Sequence, residues 1–145
     1  MAQFRSLALD EIRDPDFADM VIGVLPAHAT ADAGAWARSL FAGHSLPHFV
    51  KIALRLARFG SDPFRIRPVD GDEALVAVDG TRMDFRAAVS VDEATALVRI
   101  VTTVRLKGRL GRLPVAPMRI AQLAVIHSLL KRSQRRLSGV TTAKR

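Results

Sequence analysis

The chain has 145 residues, 49% hydrophobic and 25% charged, a composition that fits one globular domain and excludes a disordered chain. Cysteine is absent, which excludes disulfides and thiolate metal sites and favours a reducing compartment. The most apolar window, residues 120–130, is shorter than the roughly 20 residues of a membrane span, and the acidic N-terminus lacks a signal-peptide pattern, so we expect a cytoplasmic protein.

The net charge of +8 is distributed unevenly along the chain. Residues 1–93 carry 10 basic and 14 acidic side chains, whereas residues 94–145 carry 12 basic side chains and no acidic one. This asymmetry favours an anionic partner, such as nucleic acid or an anionic membrane. A solvated basic helix face explains the same charges, and residues 86–145 contain no aromatic side chain on which bases could stack.

The first half of the chain predicts one strand and two short helices. Residues 17–25, FADMVIGVL, are typical of a strand that ends before Pro26. Residues 31–42 predict a helix whose apolar residues share an inner face: Ala33, Trp36, Ala37, Leu40 and Phe41. A second helix is predicted between Ser45 and Gly60, with a basic stripe formed by Lys51, Arg55 and Arg58.

The spacing of apolar residues then changes to two, which predicts four consecutive antiparallel strands at residues 64–69, 73–78, 81–91 and 96–107. Turns at residues 70–72, 79–80 and 92–95 would join them, and Asp79-Gly80 is a strong hairpin signal. These turn lengths pair Ile66 with Val76, Val76 with Met83, and Phe85 with Thr102. All three pairings bring the apolar side chains to one common face.

The other face of this sheet is predicted to be charged and directed to water. In the predicted register Glu73 lies opposite Arg86 and Asp84 lies opposite Thr103. The expected members of this solvated face are Arg65, Arg67, Glu73, Arg82, Asp84, Arg86, Arg99, Arg105 and Lys107.

A long helix led by Pro114 and Pro117 is predicted to reach Leu137. One face carries Met118, Ala121, Gln122, Val125 and Leu129, and a second carries Ile120, Leu123 and Leu130. A helix that is apolar on two sides is usually covered on both, here by the sheet and by either the short helices or a second subunit in a homodimer. We therefore predict a single domain at residues 1–137 and a flexible basic tail at residues 138–145.

This order of elements resembles the helix-grip fold of the START, polyketide-cyclase and birch-pollen-allergen superfamily, an α+β fold. Three stretches resemble more closely an uncharacterised bacterial domain-of-unknown-function family, number 2867. They are AWARSLFAG (35–43), GDEALVAVDGTRMDFRAAV (71–89) and VTTVRLKGRLGRL (101–113). The family usually has Pro-Phe-His at the helix start, where this chain has Pro117-Met118-Arg119. The resemblance implies a curved antiparallel sheet wrapped around the long C-terminal helix, with a cavity for an apolar ligand between them.

The sequence contains no catalytic signature. His44 and His48 are four residues apart and could share a helix face, but Pro47 places the helix start between them and no glutamate follows as in a metalloprotease. No nucleophile motif is present, so we predict no catalytic residue, metal or cofactor. Arg109 and Arg112, just before the long helix, could hold an anion. The leading hypothesis is a binding module for a small apolar or amphipathic molecule, lined by Phe64, Ile66, Met83, Phe85, Ile100, Thr102, Val104, Met118, Gln122 and Val125.

Three alternatives remain open at this point. The same apolar residues could form a filled core in which Gln122 is hydrogen bonded. A cyclase- or dehydratase-like enzyme would need Asp84 or His127 to reach the cavity. A basic module would bind nucleic acid or an anionic membrane through Lys51, Arg55, Arg58 and the cluster at residues 131–136.

Overall fold

The computed structural model describes residues 6–41, 65–66, 72–79, 83–108 and 115–137. The elements in chain order are α1 (Leu7–Glu11), β1 (Phe17–Val24), α2 (Ala33–Phe41), β2 (Arg65–Ile66), β3 (Glu73–Asp79), β4 (Met83–Asp92), β5 (Leu97–Leu106) and α3 (Val115–Leu137). The first strand, the first of the two short helices, the strands corresponding to β3, β4 and β5, and the long C-terminal helix are confirmed. The helix predicted between Ser45 and Gly60 lies outside the described residues.

The strands form one antiparallel sheet with the order β1-β5-β4-β3-β2. β2 to β5 lie side by side in chain order, as the alternating pattern predicted. β1 pairs with the far edge of β5, from Phe17 opposite Val104 to Val24 opposite Leu97. The described part of the chain is therefore an α+β fold with an open antiparallel sheet and a long C-terminal helix.

The predicted register of β2 on β3 is confirmed, because Ile66 faces Val76. The predicted register of β3 on β4 is wrong, since Val76 faces Ala87 rather than Met83. Asp79 stays in the strand instead of entering a two-residue turn, and its Oδ1 lies 2.8 Å from Nη1 of Arg86. This diagonal ion pair fits the observed register.

The predicted register of β4 on β5 is also wrong, because Phe85 faces Val104 rather than Thr102. The four-residue turn comprises residues 93–96 instead of 92–95. Asp92 remains in the strand and its Oδ1 accepts hydrogen bonds from the backbone N–H groups of Ala94 and Thr95. The β3–β4 pairing is shifted by four residues from the predicted register and the β4–β5 pairing by two. Because both shifts are even, the described side chains keep their predicted faces.

The apolar face of the sheet packs against α2 and α3, as predicted. All five residues predicted on the inner face of α2 are buried. Phe41 packs against Phe85 with ring centroids 6.1 Å apart, and the Trp36 indole N–H donates to the Thr30 carbonyl at 2.7 Å. The sheet contributes Phe17, Val21, Ala74, Val76, Val78, Phe85, Ala87, Val89, Val98, Ile100, Val104 and Leu106 to this core.

The prediction that the other face points to water is wrong for its centre, which α1 covers. Ala8 packs against Leu75, Ala88 and Val101, and the Thr103 hydroxyl donates to the Ala8 carbonyl at 3.0 Å. The apolar pattern of LALDE is too short to reveal this helix in the sequence. On β1, beyond the reach of α1, the apolar side chains on the same face stay about half exposed: Met20, Ile22 and Val24.

Arg86 is the clearest correction on this face, because it is buried rather than solvated. It lies opposite Ala77, whereas its predicted partner Glu73 lies opposite Ser90. The Arg86 guanidinium donates to the backbone carbonyls of Val78 and Phe85 and to the Asp79 carboxylate. The bond to Asp79 lowers the pKa of that carboxyl group. The Glu73 carboxylate instead accepts hydrogen bonds from the Ser6 hydroxyl and the Leu7 N–H, which fixes the start of α1.

The long helix α3 is buried on one side only. Ile126, Leu129 and Leu130 are buried in the core. Of the predicted second face, Leu130 is thus covered, whereas Ile120 is 68% exposed; Ala121, predicted on the first face, is exposed as well. The homodimer predicted through this helix stays a prediction. None of the described helices is both long and apolar enough to cross a lipid bilayer.

Candidate functional site

Four polar side chains meet between the sheet and the first turns of α3, and we call them the polar cluster: Asp19, Thr102, Arg119 and Gln122. Asp19 on β1 lies directly opposite Thr102 on β5. The Gln122 amide donates to the Thr102 hydroxyl at 3.0 Å. The Arg119 guanidinium donates to Asp19 Oδ1 at 2.7 Å from Nε and 2.6 Å from Nη2. Each of the two side-chain pairs, Gln122 with Thr102 and Arg119 with Asp19, thus joins one helix residue to one sheet residue.

Local periodicity explains why these four side chains meet. Along β1, residues Phe17, Asp19, Val21 and Gly23 share the face that carries α3, so the alternation of the strand directs a carboxylate into an otherwise apolar row. Arg119 and Gln122 are three residues apart and lie on one side of the helix. Gly23 lets the helix approach this strand, because a Cβ there would lie 2.6 Å from Cδ2 of Leu130.

The Asp19 carboxylate is the most enclosed charge of the polar cluster, with a side chain only 5% exposed. Arg119, by contrast, extends into solvent, and its bond to Asp19 raises the pKa of the guanidinium above the ordinary value. Both short contacts of Arg119 use Oδ1 of Asp19. Among the described residues, the buried Oδ2 of Asp19 has no hydrogen-bond partner. A buried acceptor left in this state costs about 1–3 kcal/mol, so Oδ2 favours the approach of a hydrogen-bond donor.

The predicted ligand-binding residues fall into two groups. Phe85, Ile100 and Val104 are buried in the core, where Trp36 and Phe41 fill the space beneath α2. The less enclosed members are the half-buried Ile66, Met83, Gln122 and Val125, together with the buried Thr102. Phe64, Arg109, Arg112 and the side chain of Met118 lie outside the described part of the chain. The structure therefore brings the buried Thr102 into contact with the half-buried Gln122.

The two acid–base candidates of the enzyme alternative are not in the polar cluster. The Asp84 carboxylate lies on the opposite face of the sheet, where Oδ1 is 2.9 Å from Nζ of Lys107, and Asp84 faces Arg105 rather than the predicted Thr103. His127 is exposed on α3. The sequence reasoning missed Asp19 and Arg119, although a lone aspartate on the inward parity of FADMVIGV was a signal that could have identified the first.

A cavity of about 700 Å³ opens elsewhere, at the end of the sheet that carries the β4–β5 turn. Its wall combines apolar and charged side chains, including Ile22, Leu97, Asp92 and Arg99. None of the predicted ligand-binding residues that the structure describes lines it. Across the described residues, no group of three potential metal ligands is close enough to hold an ion.

Comparison of the chain with protein-family models and with curated proteins gives no match in either case. The resemblance to the domain-of-unknown-function family and to the helix-grip superfamily therefore stays a prediction.

Proposed function

We propose that this protein binds a small apolar or amphipathic molecule between the sheet and α3, with Thr102 and Gln122 orienting its polar group. Support comes from the polar cluster, which interrupts an otherwise apolar face beside the half-buried Gln122 and the exposed Arg119. Ligand sites commonly combine apolar walls with a few convergent polar groups of this kind. Burial of the apolar part of the ligand would supply most of the affinity, at about 25 cal/mol per Å².

The fold is compatible with this function. An open antiparallel sheet with a long C-terminal helix on one face is the arrangement expected of a helix-grip domain, and the curvature and ligand gap of that fold are part of the proposal. The observation that carries it is the bond between Thr102 and Gln122, because it joins the two polar side chains expected to face a ligand. In a filled core the same bond would satisfy Gln122, and a binding experiment distinguishes the two arrangements.

Amide chemical-shift mapping tests the proposal and locates the ligand in the same experiment. The protein is titrated with decanoate, 2-naphthol and a flavonoid while the amide signals of Asp19, Thr102 and Gln122 are followed. Saturable shifts centred on these residues would support the proposal. Shifts confined to Ser90, Asp92 and Arg99 would place the ligand in the cavity on the other face, and unchanged spectra with all three compounds would contradict binding between sheet and helix.

A second candidate function is attachment to an anionic surface, which the basic end of α3 favours. Lys131, Arg132, Arg135 and Arg136 are exposed along two turns, and no acidic residue follows residue 93. The other basic residues predicted to contact the same anionic partner, Lys51, Arg55 and Arg58, lie outside the described residues. Strong retention on heparin or anionic vesicles that falls steeply with salt would support this function, and absence of retention at low salt would contradict it.

A further inference from the structure

The buried Oδ2 atom of Asp19 indicates which polar group the proposed ligand carries. Asp19 lies between the apolar Phe17 and Val21 in the inward row of β1, and its carboxylate is held from one side by Arg119. Oδ2 is an acceptor that the described side chains leave unsatisfied, whereas Thr102 and Gln122 already bond to each other. We propose that the ligand presents a neutral hydrogen-bond donor, a hydroxyl or an amide N–H, to Asp19 Oδ2. This inference depends on the proposed function.

The charges around Oδ2 favour a neutral donor over either kind of ion. Arg119 contributes a full positive charge whose nitrogen atoms lie 2.6 and 2.7 Å from Oδ1, so it largely compensates the carboxylate. An ammonium group beside Oδ2 would be repelled by this guanidinium while losing its hydration. A carboxylate head group would face the remaining electron pairs of Oδ2 and supply no donor. A hydroxyl supplies the missing hydrogen bond without bringing a third charge into a poorly hydrated site.

Burial makes Oδ2 a stronger determinant of the ligand than the free N–H groups of Arg119. The Asp19 side chain is 5% exposed and that of Arg119 is 53% exposed. Water can satisfy exposed donors at little cost, whereas a buried acceptor gains a full hydrogen bond when a donor arrives. A ligand that differs only in this donor should therefore differ in affinity by about tenfold or more.

The test compares 2-naphthol with 2-methoxynaphthalene, which has the same aromatic body but no donor, and with 2-naphthoate. Isothermal titration calorimetry gives Kd for each compound with the wild-type protein, with Asp19→Asn and with Asp84→Asn. The Asn substitution at residue 19 keeps an oxygen for Arg119 and places an N–H donor where Oδ2 was. Asp84→Asn is the matched control, because that aspartate lies on the opposite face of the sheet.

In the wild type and in Asp84→Asn, we expect 2-naphthol to bind at least tenfold tighter than its methyl ether, with 2-naphthoate weakest. In Asp19→Asn the preference for the alcohol over the ether should fall below threefold. Equal affinity of alcohol and ether in the wild type would overturn the donor inference and leave the proposed function standing, and this comparison needs no variant. Tightest binding of 2-naphthoate, or a preference that survives in Asp19→Asn, would overturn it as well. No binding of any of the three compounds would count against the proposed function itself.

Discussion

The contact between β1 and α3 at Gly23 gives a quantitative test of the arrangement on which the site depends. An added Cβ at Gly23 would lie 2.6 Å from Leu130 Cδ2 and 3.0 Å from Gln134 Nε2. Carbon atoms in contact normally lie about 3.5–4.0 Å apart, so Leu130 would have to move. Leu130 is only 3% exposed and packs within the core, which leaves it little space. We therefore expect Gly23→Ala to destabilise the protein.

Two opposing effects set the size of this change. Replacing glycine by alanine restricts the unfolded chain and stabilises the fold by about 0.4–1 kcal/mol where no clash occurs. Overpacking a filled core costs about 1–3 kcal/mol. The net loss in the free energy of unfolding should be about 1–2 kcal/mol. Leu130→Ala alone should cost about 2–4 kcal/mol through the cavity that it creates.

The double variant separates a clash from any other cause of instability. Once Leu130 is shortened, the added methyl at residue 23 occupies space that the leucine left, so Gly23→Ala should become neutral or stabilising in that background. The coupling energy between the two substitutions should then be about 1–3 kcal/mol. Urea unfolding followed by Trp36 fluorescence gives all four stabilities. A Gly23→Ala protein as stable as the wild type, or strictly additive effects, would refute the close approach of α3 to β1.

Three further predictions concern the other face of the sheet. Arg86→Ala should lower the free energy of unfolding by about 2–4 kcal/mol, because it removes two buried hydrogen bonds to backbone carbonyls and the ion pair with the exposed Asp79. The exposed pair of Arg38 with Asp32 predicts a loss of less than about 1 kcal/mol for Arg38→Ala, and similar losses for the two variants in urea unfolding would contradict this. Arg86 lowers the pKa of Asp79 below its ordinary 3.8, so the ionised carboxylate stabilises the fold above that pH, and this contribution is lost as the pH falls through the lowered pKa. Asp79→Asn should therefore flatten the loss of stability below about pH 4, measured by urea unfolding at a series of pH values. An unchanged slope would contradict this prediction. Glu73→Ala removes the carboxylate that accepts hydrogen bonds from Ser6 and Leu7. Hydrogen exchange of the α1 amides should therefore accelerate about tenfold, while Trp36 emission stays unchanged. Unaltered exchange would show that other contacts hold α1.

The faces of the strands and the neighbours of β2 to β5 could be predicted from the sequence, whereas the registers of β4 on β3 and on β5 could not. Which face a side chain occupies depends on parity alone, and a register error of two or four residues leaves parity unchanged. The register depends on where each turn begins, and a single side chain can decide this. Asp92 accepts two turn N–H groups while remaining in β4, a choice that alternation of apolar residues does not encode.

The polar cluster shows where single-sequence reasoning about a site ends. Thr102 and Gln122 were predictable because each interrupts an apolar row in an element whose face was already assigned. Asp19 and Arg119 are 100 residues apart, and their contact depends on β1 pairing with β5, which no turn in the sequence specifies. The short helix α1 was missed for a related reason, since its position is fixed by Glu73 and Thr103 rather than by its own five residues.

The composition of the polar cluster favours a role in recognition over a role in stability. A buried ion pair seldom stabilises a fold more than apolar side chains of similar size would, because removing charges from water offsets their attraction. Asp19 loses nearly all of its hydration, and the residues that the structure describes leave one of its oxygens unsatisfied, in a row whose other members are apolar or glycine. A sheet that needed only to pack against α3 would be served better by valine at this position. The carboxylate is therefore costly for folding, and a ligand donor that completes its hydrogen bonding would give that cost a function.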